Sequence, residues 1–243
     1  MDQEQNLNEN QNQEVEQEQI EETEAHTEEE NQEEEAPFNL GKEIFEWIYT
    51  IAVALVIVFA IKGFLFDIVQ VDGPSMDTTL AHGDRLIITK LGYTPKQGDI
   101  VILDSTYEGR SQFYNTLSAQ QNKKPNFLFK LMNYHAVPEN LKIRYYVKRV
   151  IATEGQTVDL VNGKVLIDGE LLEEPYYNGK TTPMSSAVEF PLTVEDDEVF
   201  VMGDNRPHSK DSRDPSLGNV PEDAIIGKSQ FRIWPLNKLG LTR

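Results

Sequence analysis

Two short stretches carry side chains able to do acyl chemistry, and they lie far apart in the chain. The first is "VDGPSMDTTL", Val71 to Leu80, in which Ser75 follows Gly73 and Pro74. Glycine tolerates unusual φ and proline fixes its own near about −65°, so the serine sits in a turn. The second is "YYVKRVIA", Tyr145 to Ala152. On a strand Tyr146, Lys148 and Val150 share one face, where Lys148 is the lone charge. A serine hydroxyl becomes a nucleophile only with a base in hydrogen-bond reach. A lysine can be that base only if burial lowers its pKa by ~3 units, which costs ~4 kcal/mol. An outward-pointing lysine that protects a sheet edge is the competing reading. The strand alone leaves both open.

Histidine is the more familiar partner for serine. The chain has four: His26, His82, His135 and His208. None stands in a pattern that requires a Ser-His-Asp triad, and Gly73-Pro74-Ser75-Met76-Asp77 departs from the G-x-S-x-G elbow. A third stretch, "VFVMGDNRPHSKDSRD", favours the lysine. Asp204, Asn205, Arg206, Ser209, Asp211, Ser212 and Arg213 follow an apolar strand with a dense set of donors, acceptors and opposite charges. Such runs are usually solvated loops. Here the run can also serve as the frame that positions a serine and a lysine. With no cysteine in the chain, disulfides, Cys-ligated zinc and a thiol nucleophile are excluded.

The elements that must position these groups read mostly as strands. "FDIVQV" leads into the serine turn, "GDRLIITK" and "GDIVIL" follow it, and "IRYYVKRVIAT" comes after a long interval. "TVDLVNGKVLIDG" is a hairpin around Asn162-Gly163. "EVFVMG" and "IIGKSQFRIW" complete a mainly β domain of irregular strands. The interval 105–142 is polar and turn-rich, and reads as an insertion with a short helix near Phe127 to Tyr134.

The N-terminal region differs in kind. Residues 1–35 hold 15 of the 41 acidic residues and no Lys or Arg; the remaining 26 acidic and 22 basic residues give the rest a net charge of −4. The tail is too polar to bury a core and is expected to be disordered over 1–40. The nearly balanced remainder offers no basic footprint for nucleic acid. From Trp47 to Phe66 runs "WIYTIAVALVIVFAIKGFLF", about 20 residues able to span ~30 Å as a helix. It reads as a membrane anchor over 44–66, with the domain at 67–243. Lys42, Lys62 and Arg85 flank both sides, so charge does not set the orientation.

Taken in order, the apolar run, "GPSM", "GDRLI" with "GDIV", "YYVKRVIA" and "GDNR..S.DSR" resemble a bacterial type I signal peptidase of the Gram-positive, single-anchor kind, over about residues 44–243. The resemblance implies a coiled antiparallel β-sheet fold on the outer membrane surface, with the tail cytoplasmic. It implies Ser75 as nucleophile and Lys148 as general base, in a Ser-Lys dyad. Ser209 would orient the lysine, Asp211 and Arg213 would brace the loop, and Asp204 and Arg206 would be structural. The implied partners are signal peptides of translocated preproteins and the lipid bilayer, with no cofactor or metal. Two rivals differ in class. A self-cleaving Ser-Lys repressor would need a helix-turn-helix in place of the apolar run, and an inactive membrane scaffold would have no need of both Ser75 and Lys148. Three departures stand out. Thr78 replaces the family's proline, which predicts a less rigid loop after Ser75. Gly73 replaces a hydroxyl residue that helps bind the oxyanion in Gram-negative members, and "DPSLG" follows "DSR".

Overall fold

In the computed structural model residues 40–242 are described; all of the acidic tail but Leu40 lies outside them. The chain divides into two units, one ending at Val56 and the other starting at Ile57. Helix α1 (Leu40–Ala60) holds the only described part of the first unit, and Glu43 in its first turn suits the positive end of the helix dipole. Among the described residues no helix is long and apolar enough to cross a membrane. The reason is local. After Glu46 the α-helical apolar run is only about 14 residues, or ~21 Å at ~1.5 Å each, against a hydrocarbon core of ~30 Å. The apolar sequence continues past Ala60, but its backbone passes into a π-helical turn at Ile61–Leu65 and then into a strand. The anchor expected over 44–66 is therefore not one uninterrupted α-helix.

The second unit is mainly β and antiparallel throughout. Its strands are β1 (Phe66–Gln70), β2 (Arg85–Thr89), β3 (Ile100–Asp104), β4 (Tyr145–Thr153), β5 (Thr157–Val161) and β6 (Lys164–Ile167). β7 (Glu170–Leu171), β8 (Leu192–Thr193), β9 (Glu198–Met202), β10 (Val220–Pro221), β11 (Ile225–Trp234) and β12 (Gly240–Leu241) complete the set. One sheet has the order β1-β2-β11-β3-β4-β9-β10, with β12 beside β11; the other has the order β7-β6-β5-β8. Every strand read from the alternating pattern is present. The β5–β6 hairpin closes on Asn162 and Gly163 at φ +54° and +81°, as a tight primed turn demands.

Side-chain alternation sets the cores. Ile151, Phe200 and Met202 of the first sheet pack against Val158, Val165 and Ile167 of the second. A neighbouring cluster joins Val101, Leu103, Val150 and Val201. Met76 and Leu80, just past Ser75, bury beside Val71, Leu86 and Ile100. The serine turn is thus fastened to the sheet by its own apolar residues.

Two helices interrupt the run between β3 and β4. The short one, α3 (Phe127–Met132), falls where a helix is expected and is capped by the Asn126 side chain, which accepts the Phe129 N–H at 2.9 Å. The longer α2 (Tyr107–Gln120) is not foreshadowed, because it is polar along most of its length. It is held by three apolar side chains, Phe113, Tyr114 and Leu117, which meet Phe129, Val137 and Leu141 in a small core of their own. At its root the Arg110 guanidinium pairs with the buried Asp104 carboxylate.

Candidate active site

The turn that carries Ser75 begins where β1 ends. Gly73 stands at φ +90°. Beyond it the Pro74 carbonyl accepts the Asp77 N–H at 3.0 Å, and the Met76 carbonyl accepts those of Thr79 and Leu80. A helix-like coil results, with Met76 fully buried as its plug. Ser75 is half-buried at its edge. From the loop after β9, Asn205 grips this coil twice. Its backbone N–H donates to the Ser75 carbonyl at 3.0 Å, and its side-chain amide donates to the Pro74 carbonyl at 2.9 Å.

Lys148 comes from the middle of β4 and is 3% exposed. Its Nζ lies 2.9 Å from Ser75 Oγ and 3.1 Å from the Val147 carbonyl. The amine also stands 5.0 Å from the centre of the Tyr146 ring. Burial pulls its pKa down from 10.5 to about 8; the Asp211 and Asp204 carboxylates oppose the shift and the Arg213 guanidinium adds to it. Desolvation prevails because those carboxylates are already engaged. Of the two readings of Lys148 the outward one is ruled out, since the side chain is inside and against the serine.

Between Gly203 and Arg213 the buried residues Asp204, Arg206, Ser209, Asp211 and Arg213 form a frame, while Pro207, His208 and Lys210 face solvent. Arg149 donates to both oxygens of Asp204, at 2.8 and 2.7 Å, and stacks on the Tyr176 ring at 3.9 Å. Thr79 ties the serine coil to the same carboxylate. Arg213 makes a two-pronged pair with Asp211, at 2.8 Å for each contact, and its Nη2 also donates to the Arg206 carbonyl at 2.7 Å. Asp211 also accepts the Gly203 N–H at 3.0 Å and the Arg213 N–H at 3.3 Å. Arg206 reaches the second-sheet segment, where it pairs with Glu174 and donates to Thr181 Oγ1 at 2.7 Å. Asp204 and Arg206, expected to be structural, are buried in these pairs, and neither pairs with the other.

Ser209 is buried, but its hydroxyl has no hydrogen-bond partner among the described residues, Lys148 included. It is packed against Gly203, where a Cβ would stand 2.2 Å from Ser209 Oγ and 2.4 Å from the Ser75 carbonyl oxygen. Two contributors carry no signal in the sequence, Arg149 and Thr79. Asn205 belongs to the polar run read there as a frame, but its part as the clamp on the coil comes from the structure. Strand alternation put Arg149 on the face away from Lys148 and so hid its part. The described histidines stay apart from the dyad; His26 lies outside the described residues. His82 Nδ1 faces Gly73 N and Asp72, and His208 Nδ1 faces the Asn205 side chain. Among the described residues no three His, Asp or Glu side chains converge to hold a metal ion.

Thr78, which stands in the loop after the serine, ties that loop to the segment between β7 and β8. This residue stands at φ +95°, and its hydroxyl donates to the Tyr176 carbonyl at 3.2 Å. A proline, held near about −65°, cannot take that backbone conformation. The Thr78 backbone is therefore one that the proline expected from the resemblance could not adopt.

A cleft of about 440 Å³ opens beside the dyad, lined by residues 67–70 of β1, the Ser75 turn and Tyr145 to Lys148 of β4. A serine hydroxyl touching a buried, pKa-lowered amine beside such a cleft is the arrangement that acyl transfer by a hydrolase requires. Over residues 44–234 the sequence matches the Peptidase S26 family, described as signal peptidase, peptidase S26. Signal peptidase I of Bacillus licheniformis is 32% identical over 218 residues, covering 86% of this chain and 98% of that protein. Signal peptidase IB of Staphylococcus aureus strain COL is 30% identical over 214 residues, covering 81% and 93%. A solved signal peptidase I from Enterococcus faecalis, 22% identical, covers 56% of this chain and 97% of its own, with a TM-score of 0.36. The chain belongs to the S26 signal peptidase family.

Two substitutions test the frame. Gly203→Ala should push Ser209 and the Ser75 carbonyl apart and cut peptide cleavage by about 100-fold or more, since displacements of ~1 Å at a reacting group carry that cost. Thermal unfolding of the same variant should show a folded protein. Thr78→Pro should lower stability by about 2 kcal/mol or more, whereas Thr78→Gly, with strain relief offsetting added chain entropy, should change it by less than about 1 kcal/mol. Equal melting temperatures for the two variants would contradict the left-handed backbone at Thr78.

Proposed function

We propose that this chain is a membrane-bound serine endopeptidase that removes N-terminal signal peptides from exported preproteins through a Ser75–Lys148 dyad. The observation that carries the reading is the 2.9 Å contact between Ser75 Oγ and the buried Lys148 Nζ. In the resting pair the amine donates to the hydroxyl when charged. With Lys148 neutral the bond reverses, and Ser75 Oγ–H donates to Nζ.

The steps follow from that geometry. Ser75 Oγ attacks the scissile carbonyl as Lys148 takes its proton, forming a tetrahedral intermediate. Lys148 then protonates the leaving amine, the C–N bond breaks, and an ester to Ser75 remains. Water, deprotonated by the same amine, attacks the ester and frees Ser75. Gly73 offers no hydroxyl to the oxyanion, so the Ser75 N–H takes that load; this N–H makes no backbone–backbone hydrogen bond among the described residues. Asp211 and Arg213 brace the loop behind the lysine. Ser209 would position the amine by a small side-chain turn: its buried hydroxyl makes no hydrogen bond among the described residues, to Lys148 or to any other group, and so is free to accept one.

Substrate would lie in the cleft as a strand. β1 is the outer strand of its sheet, and β4 pairs with β9 only from Arg149 onward, so Tyr145 to Lys148 leave one edge open. Both open edges border the cleft, which supports pairing of an extended peptide between them. The apolar run from Trp47 onward supports membrane attachment, with the π-helical turn completing what α1 alone is too short to span. About nine residues separate Phe66 from Ser75, so at ~3.3 Å each the serine stays within ~30 Å of the run's end. The acidic tail would then lie in the cytoplasm and the peptidase outside. Retention in the membrane pellet after alkaline carbonate washing tests the attachment.

The dyad is tested by pH and by substitution. With a Lys148 pKa of about 8, about one enzyme in ten is neutral and active at pH 7. The rate at low substrate should rise roughly tenfold per pH unit below 8 and level off above it. Lys148→Arg should lose about 10³-fold or more and flatten the profile, because guanidinium does not deprotonate in this range. Near-normal rates in that variant would remove the lysine from the mechanism.

Ser209→Ala should lower turnover about 5- to 100-fold with little change in KM, as expected for a contact that serves the base and not the substrate. Wild-type turnover would remove Ser209 from the site.

A further inference from the structure

The insertion between β3 and β4 has a face that its own small core does not use. α3 turns Phe129 inward, while Phe127, Leu128, Leu131 and Met132 are 79%, 59%, 62% and 66% exposed. An apolar patch of this size on one short element marks a contact surface. Its charge is as distinctive as its hydrophobicity. From Gly109 to Pro138 the sequence has no Asp or Glu, although the chain holds 41 acidic residues. Lys123, Lys124 and Lys130 lie around the patch, and no ion pair among the described residues involves them.

The strand register says which way this patch is carried. Phe66, where the chain enters β1, pairs with Thr89; Thr89 pairs with Lys228, and Lys228 with Val101. Asp104 lies three residues further along β3 in the same direction, opposite Tyr145. The insertion therefore leaves the sheet at the end where the chain arrives from the apolar run. β1 and β4 also run the same way, so this is the end of the cleft remote from Ser75.

We propose that α3 and its flanking lysines form a second membrane contact, lying in the headgroup layer of an anionic phospholipid bilayer. The proposal rests on the reading of the apolar run as the membrane attachment. Lipid is the occupant these observations select. Exposed aromatic and aliphatic side chains interleaved with unneutralised lysines are what an interfacial helix presents to acidic headgroups. The segment that carries the patch departs from the end of the sheet at which the chain arrives from the apolar run. The three lysines would favour docking on an anionic over a neutral surface by roughly a hundredfold.

The absence of native cysteine makes the test direct. Full-length protein carrying Leu128→Cys, labelled with an environment-sensitive fluorophore, is reconstituted into vesicles of phosphatidylcholine alone or with phosphatidylglycerol. Ser186→Cys, exposed on another part of the domain, serves as the reference site. In anionic vesicles the label at 128 should shift to the blue and lose about fivefold or more of its access to an aqueous quencher, while the label at 186 stays wet. The triple change Lys123→Glu, Lys124→Glu, Lys130→Glu should reverse the shielding and leave peptide cleavage in detergent intact. Protein that stays in the vesicles after carbonate washing with a wet label at 128 in both lipids would overturn this inference alone. Protein washed out of neutral vesicles would instead overturn the attachment on which it rests. Shielding that is equal in both lipids and in detergent, with label-to-label quenching, would assign the patch to a second copy of the chain.

Discussion

The structure turns on keeping one amine out of water. Lowering the Lys148 pKa from 10.5 to about 8 corresponds to about 3 kcal/mol set against the charged form. Only a rigid surround can hold that penalty, because a mobile side chain would escape to solvent. The location in the middle of a central strand supplies the rigidity. β4 lies between β3 and β9, and the residues from Lys148 to Ala152 are buried. The carboxylates nearest the amine could have cancelled the effect. They do not, because each is committed to a guanidinium, Asp204 to Arg149 and Asp211 to Arg213.

Those two pairs also explain how a serine and a lysine more than seventy residues apart in sequence come to touch. The loop after β9 is a connector with three grips. Asn205 holds the carbonyls of Pro74 and Ser75, Asp204 holds Arg149 and Thr79, and Asp211 holds the loop to itself through Gly203 and Arg213. Buried ion pairs of this sort add little net stability, since desolvation offsets attraction. Their value here is geometric: each removes a direction in which the serine coil could drift from the amine.

Much of this was legible in the residues, for reasons that differ by element. Strands with alternating apolar residues announced themselves, and Asn162-Gly163 marked its hairpin because few other pairs accept positive φ at both positions. Ser75 and Lys148 were visible as misfits, a hydroxyl in a constrained turn and a charge on an apolar face. α2 was not visible, because its stability comes from three side chains meeting a remote segment and not from its own periodicity. Arg149 escaped notice because alternation describes only which side of a sheet a residue leaves, and its long side chain reaches a loop that alternation does not describe. The left-handed backbone of Thr78 had no signal, since a β-branched residue is the last expected there. The end of α1 was misjudged for a similar reason: hydropathy counts residues and does not see the change from α to π winding.

β4 has a further property that follows from where its neighbours are attached. The segment 105–142 departs from Asp104 and the chain resumes at Tyr145, a cross-strand pair; the second sheet departs from Thr153 and returns by Val199, another such pair. Each excursion starts and finishes at residues already clasped together. Closing such an excursion costs only a slowly growing entropy as it lengthens, about 0.6 kcal/mol per doubling. Both can therefore grow, shrink or be exchanged during divergence at little expense to the strand between them. The freedom is unequal, however. The second excursion sends Glu174, Tyr176 and Thr181 back to the buried arginines, whereas the first is tied at its root and, through Tyr107, to Asp223, and sends nothing to the dyad frame. Changes of length should thus be borne more easily in residues 105–142 than in the excursion that carries the second sheet.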